Sequence, residues 1–270
     1  MMIMTMNTIR KKIKYLLGVL VLVSLSWFLV VSNEERDETP VAVKETPLVE
    51  EPIVPEVTLE PLPIVQELPT RHLISDVPFT VQAPFAEWYD PIFQDACEEA
   101  SIVMAEVWVE GTVLTRAIAK ERITKLASHQ KKQYGHSVDT GIDDTAKLLR
   151  EVLGVDTSSV KRGIEIGDIQ EAVSEDQIVI VPTDGRKLGN PNFKAPGPPR
   201  HMLVIVGYDR ETHEFIVNDP GTRRGEGYRY PETVLYGAIL DYPTGKHATA
   251  TSKDKVMLMV WRPDGDALQK

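Results

Sequence analysis

Cysteine is almost absent from this chain: Cys97 is the only one in 270 residues. An intramolecular disulfide framework is therefore excluded, as is any zinc site built on several thiolates. Residues 71–270 hold no basic stripe, and their formal charge of −6 within a total of −10 argues against a nucleic-acid partner. Glycine is missing from residues 33–70, where seven prolines and ten acidic residues stand against Arg36 and Lys44. No internal repeat of about 20 to 50 residues appears in the remainder. A lone cysteine is most often a small buried hydrophobe, so its neighbours must decide whether it does chemistry.

At the N-terminus, RKKIK (10–14) precedes an apolar run over 15–31, and the acidic NEERDE follows. Basic residues before an apolar run are the form of a secretory signal. The run is also about the length of a membrane-spanning helix. No small-x-small cleavage site follows it, so residues 1–32 are expected to be an uncut signal anchor. The charge asymmetry places the N-terminus in the cytoplasm and the rest outside; the chain would be secreted if the signal were cut. Residues 33–70 cannot close a core and favour extended polyproline conformers. They read as a stalk, reaching on the order of 100 Å at about 3.1 Å per residue.

Residues 71–265 are expected to form one domain. Its first half reads helical. Over 97–109, Ala100, Val103, Met104 and Val107 fall on one face. Residues 115–132 are charged and helix-forming. Asp143 or Asp144 can cap a helix that stops at Gly154, and 168–174 suggests another short helix. The second half reads as strands: QIVIVP (177–182) and HMLVIVG (201–207) are continuous apolar runs, as for strands covered on both faces, with further strands at 214–218 and 255–261. Helices followed by strands argue for an α+β domain. Between them lies GRKLGNPNFKAPGPPR (185–200), a long Gly- and Pro-rich loop of the kind that forms rims or lids.

Cys97 is expected to open its helix. A helix N-terminus has free N–H groups and a partial positive charge, and both favour the nucleophilic thiolate. Asp95, Glu98 and Glu99 oppose it, so a cationic partner is needed. Of six histidines, His72, His129, His136 and His247 read as solvated and His213 falls in a turn. His201 instead heads an apolar strand at the mouth of the long loop. If the following hairpin turns through an odd loop centred on Arg210, His201 lies opposite Asp219, which would orient its ring. An even loop would slip the register by one and bring Asn218 to that face. The odd loop is the favoured expectation. For the oxyanion of an acyl transfer, the Cys97 N–H is one donor, and Gln82 and Gln94 are the candidate amides for the other.

Four segments together resemble the papain-like cysteine peptidases of clan CA, and in particular the peptidase-like domains related to bacteriocin-processing, double-glycine-leader peptidases. They are DVPFTVQAPF (76–85), FQDACEEASIVMA (93–105), HMLVIVGYD (201–209) and FIVNDPG (215–221). The resemblance covers roughly 76–262. It implies a papain-like fold, Gln82 as the oxyanion glutamine, and the order Cys97, His201, Asp219 for nucleophile, base and orienting acid. It also implies thiol-dependent hydrolysis of a peptide or protein substrate, with neither metal nor organic cofactor required. Transporter and ATPase regions are absent, so processing during export is not implied. Two rivals remain: an inactive papain-fold module that binds peptides on a membrane stalk, and a thiol acyltransferase using the same site.

Overall fold

The computed structural model describes residues 67–245, 247 and 253–263. The expected signal anchor, and the expected stalk as far as residue 66, lie outside the described residues. Among the described residues no helix is long and apolar enough to cross a membrane.

The chain runs β1 (Arg71–Leu73), α1 (Pro91–Gln94), α2 (Cys97–Glu110), α3 (Arg116–Tyr134), α4 (Ile142–Glu151), β2 (Ser158–Arg162), α5 (Ile166–Ser174), β3 (Ile178–Thr183), β4 (His201–Asp209), β5 (Glu214–Asn218), β6 (Tyr228–Pro231), α6 (Glu232–Ala238) and β7 (Val256–Val260). The strands form one sheet in the order β2-β7-β3-β4-β5-β6, and β1 pairs with the far end of β4. Every pairing is antiparallel. The fold class is therefore mixed α+β on an antiparallel sheet.

The apolar runs land where the sequence places them. All residues of β3 and β4 are buried, on both faces, because α2 and α5 each pack against these central strands. The stripe on α2 is fully buried as Ala100, Val103, Met104 and Val107. Each large side chain removed from water in this way contributes roughly 1.5–3 kcal/mol. Gly207 in β4 is required by the approach of β1: a Cβ there would lie 2.8 Å from the His72 carbonyl oxygen and 2.9 Å from Leu73.

Several boundaries differ from expectation. Helix α4 is capped by Gly141, with Asp143 and Asp144 inside its first turn, where carboxylates still favour the positive helix end. Helix α5 starts at Ile166, because Glu165 and Asp168 close a reciprocal capping box. Residues 68–70, expected in the stalk, bond to the end of β4: the Pro69 carbonyl accepts from Tyr208, and those of Leu68 and Thr70 accept from Arg210.

Candidate active site

Cys97 is the first residue of α2, and Ala96 before it offers no side-chain cap. The short helix α1 immediately upstream is fixed by Pro91 in its first turn and by Asp90, whose carboxylate accepts from the Ile92 N–H at 3.0 Å. Gln82 clamps the end of α1, its amide donating to the carbonyls of Phe93 (3.1 Å) and Gln94 (2.8 Å). Cys97 is 6% exposed. Its Sγ donates to Glu98 Oε2 at 3.1 Å. The positive helix end does not prevail here. Burial first, then the Glu98 charge and hydrogen bond, push the thiol well above its ordinary value, with only the Met202 N–H pulling it down.

His201 heads β4 and is 1% exposed. Its Nε2 lies 2.7 Å from Asp219 Oδ1, and the Phe193 ring meets it edge-on at 5.2 Å. Asp219 is fully buried and takes three further donors: the Gly221 N–H at 2.9 Å, the Tyr230 hydroxyl at 2.8 Å and the Asn190 amide at 3.5 Å. Burial raises this carboxyl, but His201, Tyr230 and Gly221 together bring it below its ordinary value. An ionised acceptor on Nε2 fixes the proton there, leaving Nδ1 as the basic nitrogen of the neutral ring.

The register that joins these two residues differs from the expected one. Asp209 pairs with Glu214, so the hairpin loop holds the four residues 210–213, an even number. Continued unbroken, that register would have set Asn218 on the His201 face. A β-bulge at Val206 shifts the pairing between Ile205 and Gly207, so that Val204 faces Asn218. The extra residue restores the parity, and Asp219, just past the end of β5, returns to the side of His201. Asn218 turns away: its amide donates to the Val77 and Pro78 carbonyls, and its oxygen accepts from Gly227.

Cys97, His201 and Gln82 line one cleft of about 370 Å³, together with Trp88, Gln94 and residues 193–200 of the long loop. That loop forms a wall of the cleft, as expected of a rim. Gln82 has both amide hydrogens committed to the end of α1. Gln94 uses one, to the Trp88 carbonyl at 2.7 Å, and is exposed. His247, read as solvated, also borders the cleft, where its Nδ1 lies 2.8 Å from Asp139. Among the described residues no group of three or more His, Cys, Asp or Glu side chains is placed to hold a metal ion.

The sequence reading missed Asn190, Phe193, Tyr230 and Tyr242. Asn190 and Phe193 sit inside the loop already marked as a rim, but nothing in its composition ranks one residue above another. Tyr230 and Tyr242 reach the site from 11 and 144 residues beyond their partners Asp219 and Glu98, and no local pattern encodes those contacts.

The Peptidase_C39 like family is matched over residues 74–239, a span that includes Gln82, Cys97, His201 and Asp219. No curated protein matches. Among solved structures, a candidate C39-like peptidase from Bacillus anthracis is 16% identical, with a TM-score of 0.47 over 71% of this chain and 98% of that one. Xylellain, a cysteine protease from Xylella fastidiosa, is 11% identical, with a TM-score of 0.46 over 73% of this chain and 87% of its own. With the family match covering more than half of its length, the chain belongs to the Peptidase_C39 like family and is a papain-like cysteine peptidase.

Proposed function

We propose that the protein hydrolyses peptide bonds in an extracytoplasmic peptide or protein through Cys97, His201 and Asp219. The observation that carries this reading is the Asp219-bound ring of His201 in the wall of the same cleft that Cys97 lines at a helix N-terminus. Cys97 Sγ attacks the carbonyl carbon while its proton passes to His201 Nδ1. His201 then protonates the leaving amine, and water, activated by the same nitrogen, resolves the thioester. Asp219 holds the ring and stabilises its charged form, as the acid of a triad does.

The oxyanion takes the backbone N–H of Cys97 and one amide hydrogen of Gln82, which Gln82 releases from the end of α1 when substrate enters. Trp88 and Phe193 supply apolar walls for the flanking side chains. In this reading the basic and apolar segments of 1–32 are the membrane anchor and the Pro- and Glu-rich 33–70 the stalk. Proteolysis of intact cells from outside, with the cytoplasmic contents as control, tests that placement.

A peptidyl electrophile such as a vinyl sulfone tests the chemistry. Its adduct, read by intact mass, is expected on Cys97 at a rate far above free cysteine and is expected to vanish in His201→Ala. Equal rates for Cys97 and free cysteine, with His201 intact, would sink the reading.

A further inference from the structure

Glu98 is a buried carboxylate, 2% exposed, that the proposed reaction leaves unused. It touches the reacting atom: Cys97 Sγ donates to its Oε2 at 3.1 Å, and the Tyr242 hydroxyl donates to its Oε1 at 2.7 Å. Each oxygen thus has its own donor, the arrangement an ionised acceptor requires. We propose that Glu98 is a second proton partner of Cys97, holding the thiol protonated and at rest until substrate draws Sγ toward His201. This rests on the reading of Cys97 as nucleophile.

At rest the hydrogen stays on Sγ and points to Glu98. In the attack Sγ turns, the hydrogen passes to His201 Nδ1, and sulfur forms its bond to the carbonyl carbon. The C–N bond then breaks as the amine takes that proton. Glu98 remains a carboxylate throughout, and nothing is oxidised or reduced. A chain with one thiol gains from such a hold, because the thiolate is the form that oxidants attack.

After burial itself, Glu98 is the largest influence on the sulfur. On α2 the next acid, Glu99, is engaged by Gln130, and Asp95 precedes the helix. From β4 comes the Met202 N–H, and the His201 ring lines the same cleft. From the turn before α4, Asp139 faces Glu98 and is itself met by Arg200 and His247. Burial and the Glu98 charge raise the thiol in concert.

The test is alkylation of Cys97 by iodoacetamide across pH, which needs no substrate. Removing the charge in Glu98→Gln is expected to bring the alkylation midpoint to a lower pH, so that the rate at pH 7 rises on the order of tenfold. A merely structural role predicts no such gain. Unchanged or slower alkylation in folded Glu98→Gln overturns the proposal. Should that variant not fold, the S–H Raman band of the wild type, absent in Cys97→Ala, decides. A band at neutral pH below the position of a free thiol supports Glu98 as acceptor; no band, or one at the free-thiol position, overturns it. Failure of the peptidase reading would show separately, as absent turnover with the faster alkylation of Glu98→Gln intact.

Discussion

Gly221 leaves room for the His201 ring. A Cβ there would lie 2.9 Å from His201 Cε1 and 2.9 Å from Phe193 Cε1, closer than real side chains come. Gly221→Ala therefore tilts the ring away from Asp219, and kcat/KM on a cleaved peptide is expected to drop at least tenfold while the thermal transition moves by only a few degrees. Full activity in that variant would mean that the ring orientation seen here is not the working one. Asp219→Asn keeps the shape and removes the charge. A loss of about 10²–10⁴ in kcat/KM is expected, the size of an acid–base contribution. The same substitution has a stability signature. The folded carboxyl lies below its ordinary value, so its contribution is present above the unfolded value of about 3.9 and is lost as pH falls through the folded one. The stability gap between wild type and Asp219→Asn, measured by urea unfolding, should thus be largest near neutrality and close as pH falls through the folded value. At this scale Cys97 and His201 were legible, one as the sole thiol and the other as a polar head on an apolar run. Glu98 was legible only as a first-turn acid. Its contact with Tyr242 depends on where the chain returns after α6.

At the scale of elements, α2, β3 and β4 could be read because their apolar periods are long and unbroken. Strand β2 (SSVKR) lacks that signal: it lies at the sheet edge and owes its conformation to its pairing with β7. Strand β6 is four residues ending in proline and leads straight into α6, a helix of seven; each is too short for periodicity to show. The parity of the β4–β5 hairpin was beyond reach for another reason. A bulge inserts one residue without any required sequence mark when it is not a glycine type, and Val206 looks like any other strand residue. Two departures, an even loop and a bulge, cancel to bring Asp219 to His201. Helix α1 offers the test at this scale. Its Asp90 cap holds the segment whose carbonyls grip Gln82 just before the nucleophile. Asp90→Ala is expected to cost about 1 kcal/mol, lowering Tm by about 2–4 °C for a domain of this size. It should also slow alkylation by the peptidyl electrophile. A Tm loss with no change in that rate would separate α1 from the positioning of Cys97.

For the whole molecule, the division into helices and then strands was enough to read the fold class, since burying an amphipathic helix and an apolar sheet against each other leaves few architectures. What composition alone hid is the charge inside the core. Glu98 and Glu99 lie in the first turn of α2, buried. Burial raises both carboxyls, Glu99 well above its ordinary value, and Glu98 adds to the rise of Glu99. Gln130 donates to one Glu99 oxygen, while Oε2 has no hydrogen-bond partner among the described residues. A carboxyl whose folded value is raised binds more protons in the folded state than in the unfolded one. Stability therefore declines as pH rises from the unfolded value near about 4.3 toward the folded one. Asp219 acts in the opposite sense at the acid end, so the stability of the whole domain should peak on the mildly acidic side of neutrality. Glu99→Gln keeps the acceptor for Gln130 and cannot ionise. It is expected to be more stable than wild type at pH 8, because ionising the buried Glu99 carboxyl costs the folded wild type stability as pH rises. At pH 4 the two should be nearly equal. Urea unfolding at the two pH values gives the comparison: a constant difference between the proteins would assign the effect of Glu99 to packing, whereas a difference that grows with pH would assign it to the buried charge.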